Sequence, residues 1–284
     1  MSAEVRQPVV AGMFYPAQKD RLEAALAGHL EQPLPPNAPH ALLSAPLGLI
    51  APHAGYMYSG DTAGAGYRAV SALGRPETVL VLGANHTGMG PNLCVDDRPA
   101  WRTPLGDARV NVEVIEELAR AGLATERAPF DREHSIEVQI PFVQYVWGPR
   151  VSIVPILVQP SGAHVLAHTS QVLTQVIARR PSTLLVASSD FTHYETDAAA
   201  RDLDRHAIDR ILGGEPDAFL SHCRAERLTI CGTGAIALLM HISRALSLDD
   251  IKWIAYSTSG DATGDRSAVV GYASVMFTRR RDGS

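Results

Sequence analysis

Five side chains in this sequence are of the types that bind metals or move protons, and four of them close apolar runs. His53 ends GLIAPH (48–53), His86 ends VLVLGANH (79–86), and Asp190 and His193 end LLVASSDFTH (184–193). Cys231 stands between Ile230 and Gly232, at the start of the small-residue stretch CGTGAIALL. Two neutral imidazoles brought together are the usual start of a transition-metal site. A carboxylate beside an imidazole serves either to orient it from behind or to work with it in general acid–base chemistry. A cysteine at a helix N-terminus leans toward thiolate, the form that ligates metal or attacks carbon.

Each of these residues has a plainer reading. His53 could be satisfied inside a turn. Ser189 or Asp190 could cap the first turn of a helix with His193 incidental. Cys231 could be a small buried hydrophobe, the reading that Cys94 and Cys223 keep. Glu133, His134 and Glu137 crowd one short stretch. They form either an exposed first helical turn with dipole-favoured acids, or a stretch in which His134 or Glu137 lines a crevice. Asp261 and Asp265 fall in a loop at another strand end, where a loop role is expected.

What must position the five is a set of strands. Continuous apolar runs bounded by turn residues read as buried strands of a parallel sheet, here at 47–51, 78–83, 151–158 and 183–188. In open α/β sheets ligands bind outside the carboxyl ends of the strands, so three strand ends bearing imidazole or carboxylate predict one shared crevice. Helices are expected over 17–31, with Leu22, Ala25, Leu26 and Leu30 on one face, and then from the Gly- and Ala-rich SGDTAGAGYRAVSAL. Further helices fall at 111–122, 131–148 (bent near Pro141), 164–178, 197–213, 215–223 and after Cys231. Residues 92–106 read as a hairpin or edge excursion, and QPLPPNAPHA (32–41) as a surface connection. Two terminal strands, within 251–261 and 268–278, are joined by SGDATGDRS. Strands alternating with helices give an α/β fold: one three-layer domain over 1–284, with a largely parallel central sheet covered by helices on both faces.

Composition narrows the class. An apolar share of 46 % in 284 residues supports a sizeable core. A net charge of −5 with interspersed signs argues against nucleic-acid or anionic-membrane partners. No signal peptide or membrane span is read from the sequence, and three cysteines make no disulfide framework, so a reducing cytoplasmic setting is expected.

Taken together, these stretches resemble the Memo family, the component called protein B in AmmeMemoRadiSam gene neighbourhoods. The resemblance spans nearly the whole chain: RQPVVAGMFYP (6–16), APHAGYMYSG (51–60), LGANHTG (82–88), WRTPLG (101–106), EHSIEVQIPF (133–142), SSDFTHYE (188–195), CGTGAI (231–236) and the YSTSGD…VVGYASV end. It implies a single α/β domain similar to the class III extradiol dioxygenases, with metal-site positions on His53, His86 and Cys231 and with Asp190 and His193 lining the same pocket. The dioxygenases use two histidines and a carboxylate for Fe(II). A cysteine in the third place departs from that pattern and leaves iron, copper and zinc open.

The leading expectation is therefore a metal-binding, redox-active protein acting on a small molecule. Its ligands would be His53, His86 and Cys231, with His193 as acid–base group and Asp190 orienting it. Two rivals stand beside it: a non-catalytic module that recognises a peptide or protein in the same crevice, and a hydrolase with Cys231 as nucleophile and His193 as base. The resemblance also implies a radical-SAM protein as pathway partner.

Overall fold

The computed structural model describes residues 4–31 and 41–280. The connection expected at 32–41 lies outside them, apart from Ala41. In chain order the elements are α1 (Lys19–His29), β1 (Leu47–Ala51), α2 (Tyr56–Ser71), β2 (Thr78–Ala84), β3 (Leu93–Val95), β4 (Ala100–Thr103) and β5 (Gly106–Arg109). There follow α3 (Val112–Arg120), β6 (Ala124–Thr125), α4 (Ile140–Trp147), β7 (Ser152–Val158), α5 (Ala163–Ala178), β8 (Thr183–Ser188) and β9 (His193–Glu195). The chain continues through α6 (Asp197–Leu212), α7 (Pro216–Ala225), α8 (Thr233–Ala245), β10 (Asp250–Thr258), α9 (Ser259–Thr263) and β11 (Val269–Thr278).

The apolar runs form the centre of one sheet, in the order β10-β11-β1-β8-β2-β7-β3-β6, with β9 added against β11. Strands β1, β8, β2 and β7 are mutually parallel. Apart from Ser152 at the start of β7, every residue in them is buried. That is the burial expected of parallel strands covered on both faces. Antiparallel β11 and β10 flank the parallel centre on one side and β3 on the other. The excursion read at 92–106 is strand β3 followed by the separate β4–β5 hairpin.

Neighbouring residues of β1 show the layering, because successive side chains point to opposite faces. A Cβ on Gly48 would meet Leu239 of α8 at 3.4 Å, whereas a Cβ on Gly66 of α2 would meet Leu49 at 2.9 Å. Helices α8 and α2 therefore cover opposite faces. The glycines within α2 cost helix propensity, about 1 kcal/mol each relative to alanine. In exchange the helix lies close: a Cβ on Gly64 would fall 2.1 Å from the His29 carbonyl oxygen of α1.

Three local expectations are corrected. Pro141 lies in the first turn of α4, after a 3-10 turn at Glu137–Gln139, so it starts the helix and does not bend it. Neither Ser189 nor Asp190 caps a helix; Thr196 caps α6, its hydroxyl accepting from the Ala199 amide. His193 instead opens the short strand β9, paired with β11. Among the described residues no helix is long and apolar enough to cross a membrane.

Candidate metal centre

The turn after β1 carries His53, and the turn after β2 carries His86. These strands are not neighbours, because β8 is inserted between them. The carboxyl end of β8 supplies Ser188 and leads to Asp190, so the three strand ends expected to share a crevice are adjacent in the sheet. His134 enters from the segment before α4. That segment docks where β2 has no side chain: Ser135 and Ile136 fill the place a Cβ on Gly83 would take, and the Ser135 hydroxyl donates to the Ala84 carbonyl at 2.8 Å.

The imidazoles of His53, His86 and His134 converge, with one ring nitrogen from each lying within 4.8 Å of the others. His86 and His134 stack with centroids 4.7 Å apart, and His53 stands nearly perpendicular to both, at 5.2 and 5.4 Å. His53 is 1 % exposed and forms the floor. The His86 and His134 side chains, 36 % and 24 % exposed, form the mouth. Cys231 reaches the floor from the turn before α8, its Sγ 3.3 Å from His53 Nε2. The Asp190 amide donates to the same sulfur at 3.3 Å. A Cβ on Gly232 would lie 2.5 Å from Ser189 Cβ, so only glycine lets this turn press against the end of β8.

Behind the rings the partners differ in charge. His86 Nδ1 meets Glu133 Oε1 at 2.9 Å, and the His86 amide donates to Glu133 Oε2 at 2.7 Å. The amides of His134 and Ser135 also donate to Glu133, both at 2.9 Å. Burial alone would raise the Glu133 carboxyl, but the His86 hydrogen bond and charge and the Ser135 amide outweigh it and bring it to about 2. Burial pulls His86 down, and Glu133 more than reverses that, so its pKa is raised. His53 is lowered by burial and by the His134, His86 and His193 imidazoles, against a hydrogen bond with the Ser188 backbone, and His134 is lowered chiefly by burial. Two of the three rings thus favour the neutral form that binds metal.

Asp190 and His193 do not pair as expected. Asp190 Oδ1 accepts from the His53 backbone amide at 2.7 Å and so fixes the turn that presents His53. Its carboxyl is raised by burial, against the His53 hydrogen bond. His193 is held through Thr229: its Nδ1 meets the Thr229 carbonyl at 2.9 Å and its amide donates to the Thr229 hydroxyl at 2.7 Å. The thiolate expected of Cys231 from the helix N-terminus is also offset. Burial pushes the thiol well up, as does the Asp190 charge, and the Asp190 amide only partly compensates. Cys94 and Cys223 are buried and unpaired.

The crowded stretch at 133–137 divides its roles. Glu133 backs His86 and His134 joins the cluster, while Glu137 turns away under the N-terminal segment, where it binds Arg6, the Val9 and Val10 amides and the Tyr15 hydroxyl. Asp261 belongs to an ion-pair group with Arg201 and Arg266. Asp265 bonds Ser267 within its own loop. The three imidazoles could hold a transition metal, whereas Cys231, expected as the third ligand, is not part of that group and lies against His53 alone. Bonds of about 2.1 Å to nitrogen and 2.3 Å to sulfur set such donors about 3.5 Å apart in a tetrahedron, close to the Cys231–His53 separation.

The sequence pattern of the Memo-like protein family matches residues 6–276. A MEMO1 family protein of Nitrosopumilus maritimus is 38 % identical over 275 residues, covering 96 % of this chain and 99 % of the relative. A MEMO1 family protein of Thermotoga petrophila is 36 % identical over 279 residues, with 96 % and 99 % covered. The crystal structure of the uncharacterized Escherichia coli K12 protein JW3007 superposes with a TM-score of 0.52 at 14 % identity, covering 81 % of this chain and 98 % of that one, a likeness of fold alone. With a matched pattern over nearly its whole length and relatives well above 30 % identity, the chain belongs to the Memo-like protein family.

Proposed function

We propose that this protein holds a transition metal through His53, His86 and Cys231, with His134 as a further imidazole at the mouth, and uses it in oxidation chemistry on a small molecule. The observation that supports this most directly is the convergence of three imidazole nitrogens, one of which, His53 Nε2, also lies 3.3 Å from the Cys231 sulfur. Nitrogen with sulfur selects iron, copper or zinc over magnesium or calcium. Bound there, the metal would supply Lewis-acid or one-electron chemistry.

The chain's own residues then divide the remaining work. Glu133 holds His86 in place from behind, and Asp190 fixes the His53 turn through the backbone. His193, anchored through Nδ1 to Thr229, is assigned the acid–base role toward a substrate. A hydrolase with Cys231 as nucleophile is less well supported, because burial keeps the thiol protonated and Asp190 adds to that.

Metal analysis of protein purified without a histidine tag, after anaerobic loading with Fe(II), Cu(I) or Zn(II) in turn, tests the reading. About one equivalent should be retained by the wild type and lost in His53→Ala and Cys231→Ser. A wild type that retains none of the three sinks it.

A further inference from the structure

We infer that Ser188 is a positioning residue of this centre: it fixes His53 as the Nδ1–H tautomer, so that the ring presents a bare Nε2 lone pair to the crevice. The inference rests on the proposed metal only for its consequence, since the tautomer is a property of the metal-free chain. It follows from a count of protons and lone pairs. A serine hydroxyl has one hydrogen to give and two lone pairs with which to accept. Ser188 Oγ has three neighbours. It lies 2.7 Å from the Ser135 carbonyl oxygen, 2.8 Å from Gln139 Nε2 and 3.0 Å from His53 Nδ1.

A carbonyl can only accept, so the Ser188 hydrogen goes to Ser135. An amide nitrogen can only donate, so Gln139 fills one lone pair. The contact left over is a hydrogen bond only if His53 Nδ1 carries a proton and donates it to the second lone pair. The orientation of Gln139 is fixed by the same logic. Its Nε2 also donates to the Pro52 carbonyl at 2.8 Å, and its Oε1 accepts from the Tyr67 hydroxyl at 3.0 Å. Turned over, the amide oxygen would face the Pro52 carbonyl oxygen with no hydrogen between them.

Burial makes the count binding. Ser188, Gln139 and Tyr67 are 0 % exposed and His53 is 1 % exposed, so little solvent can reach the group to supply a different partner. In the opposite tautomer an Nε2–H would point toward Cys231 Sγ, and the bare Nδ1 would face a hydroxyl whose only hydrogen is committed to Ser135. One buried acceptor would then go unpaired, which disfavours that tautomer. The two ligand rings are thus set by different means: His86 by the Glu133 carboxylate, His53 by a neutral hydroxyl that adds no charge at the buried floor. Outer partners of this kind hold a ligand's tautomer and orientation, and losing one typically weakens metal binding 10–100-fold.

Long-range ¹H–¹⁵N correlation spectra of the metal-free protein read the tautomer directly, with His53 assigned by its absence in His53→Gln. The wild type should show Nδ1 protonated and Nε2 bare. Ser188→Ala should populate the Nε2–H form and lower metal affinity by about 10–100-fold. A wild-type His53 protonated at Nε2 overturns the inference, and so does an unchanged Nδ1–H signature in Ser188→Ala. The wild-type spectrum needs no variant to fold and no metal to bind. A wild type that has the stated tautomer and takes up no metal leaves this inference standing and defeats the proposed function instead.

Discussion

Glu133 shows how much of the centre is carried by a residue that would touch no metal. Its two carboxylate oxygens take the His86 ring and amide and the amides of His134 and Ser135. Glu133→Gln keeps the shape and removes the charge, so metal affinity should fall by about 10–100-fold in competition titrations. The pH dependence has a definite sign. His86 is raised above 6.5, so in the metal-free protein a proton competes for the site as pH falls through that raised value. The His86 share of the affinity should therefore be full on the alkaline side of that value and decline before an ordinary imidazole would titrate, while the raised Cys231 thiol adds a further gain as pH rises. In Glu133→Gln the onset should move to lower pH, and a variant whose affinity curve overlays that of the wild type would refute the role given to Glu133. The pair acts on stability in the opposite sense for its two members. The Glu133 contribution, with its pKa depressed from 4.5 to about 2, is present above 4.5 and lost as pH falls through 2. The His86 contribution is complete below 6.5 and lost as pH rises through its raised value. The pair stabilises most between about 4.5 and 6.5.

The N-terminal segment straps down the stretch that carries His134. The Arg6 guanidinium pairs with Glu137 at 2.5 Å, donates to the Phe130 and Glu133 carbonyls, and lies over the Trp101 ring at 4.1 Å. Both side chains of the pair are 1 % exposed. Arg6→Met would leave a buried carboxylate without its counter-charge, and it should cost roughly 3–5 kcal/mol in chemical denaturation. The loosened 130–137 segment should also bind metal more weakly. A cost below about 1 kcal/mol, the level of an exposed pair, would mean that Glu137 is satisfied without Arg6. This strap is also the part of the site that the sequence does not reveal. The charges at 133–137 announced that something was there, but the partner of Glu137 is 131 residues away, and no local periodicity reveals it. His134 was visible only as one of two candidates for lining the crevice, because its place depends on Ser135 and Ile136 filling the gap at Gly83. His53 and His86 were easier to read. Each follows a continuous apolar run, and a parallel strand delivers its last residue to the same edge whatever its neighbour.

At the scale of the whole molecule the strand positions were legible, and their lateral order was not. Apolar runs locate β1, β2, β7 and β8, yet nothing within them says that β8 lies between β1 and β2; that is decided by helices packing on both faces. The order matters because it puts Ser188 against His53 and Asp190 beneath its backbone. Three distant parts of the chain, at residues 53, 86 and 134, thereby meet around one point, with residue 231 against the first of them. A metal bound there would tie the turns after β1 and β2 to the segment before α4 and to the start of α8. Such a ligand binds the folded chain in preference to the unfolded one and stabilises it by about 2.7 kcal/mol at a free concentration of 100 Kd. At about 2–4 °C per kcal/mol for a chain near this size, the melting temperature should rise by roughly 5–10 °C. Histidines and cysteines of the unfolded chain also bind metal, which makes this figure an upper value. The rise should vanish in His53→Ala and shrink in His134→Ala, because the first removes the buried floor and the second one side of an open mouth. Thermal melts with and without metal, compared across these variants, carry the decision. An equal rise in wild type and His53→Ala would place the bound metal on surface histidines, away from the strand ends.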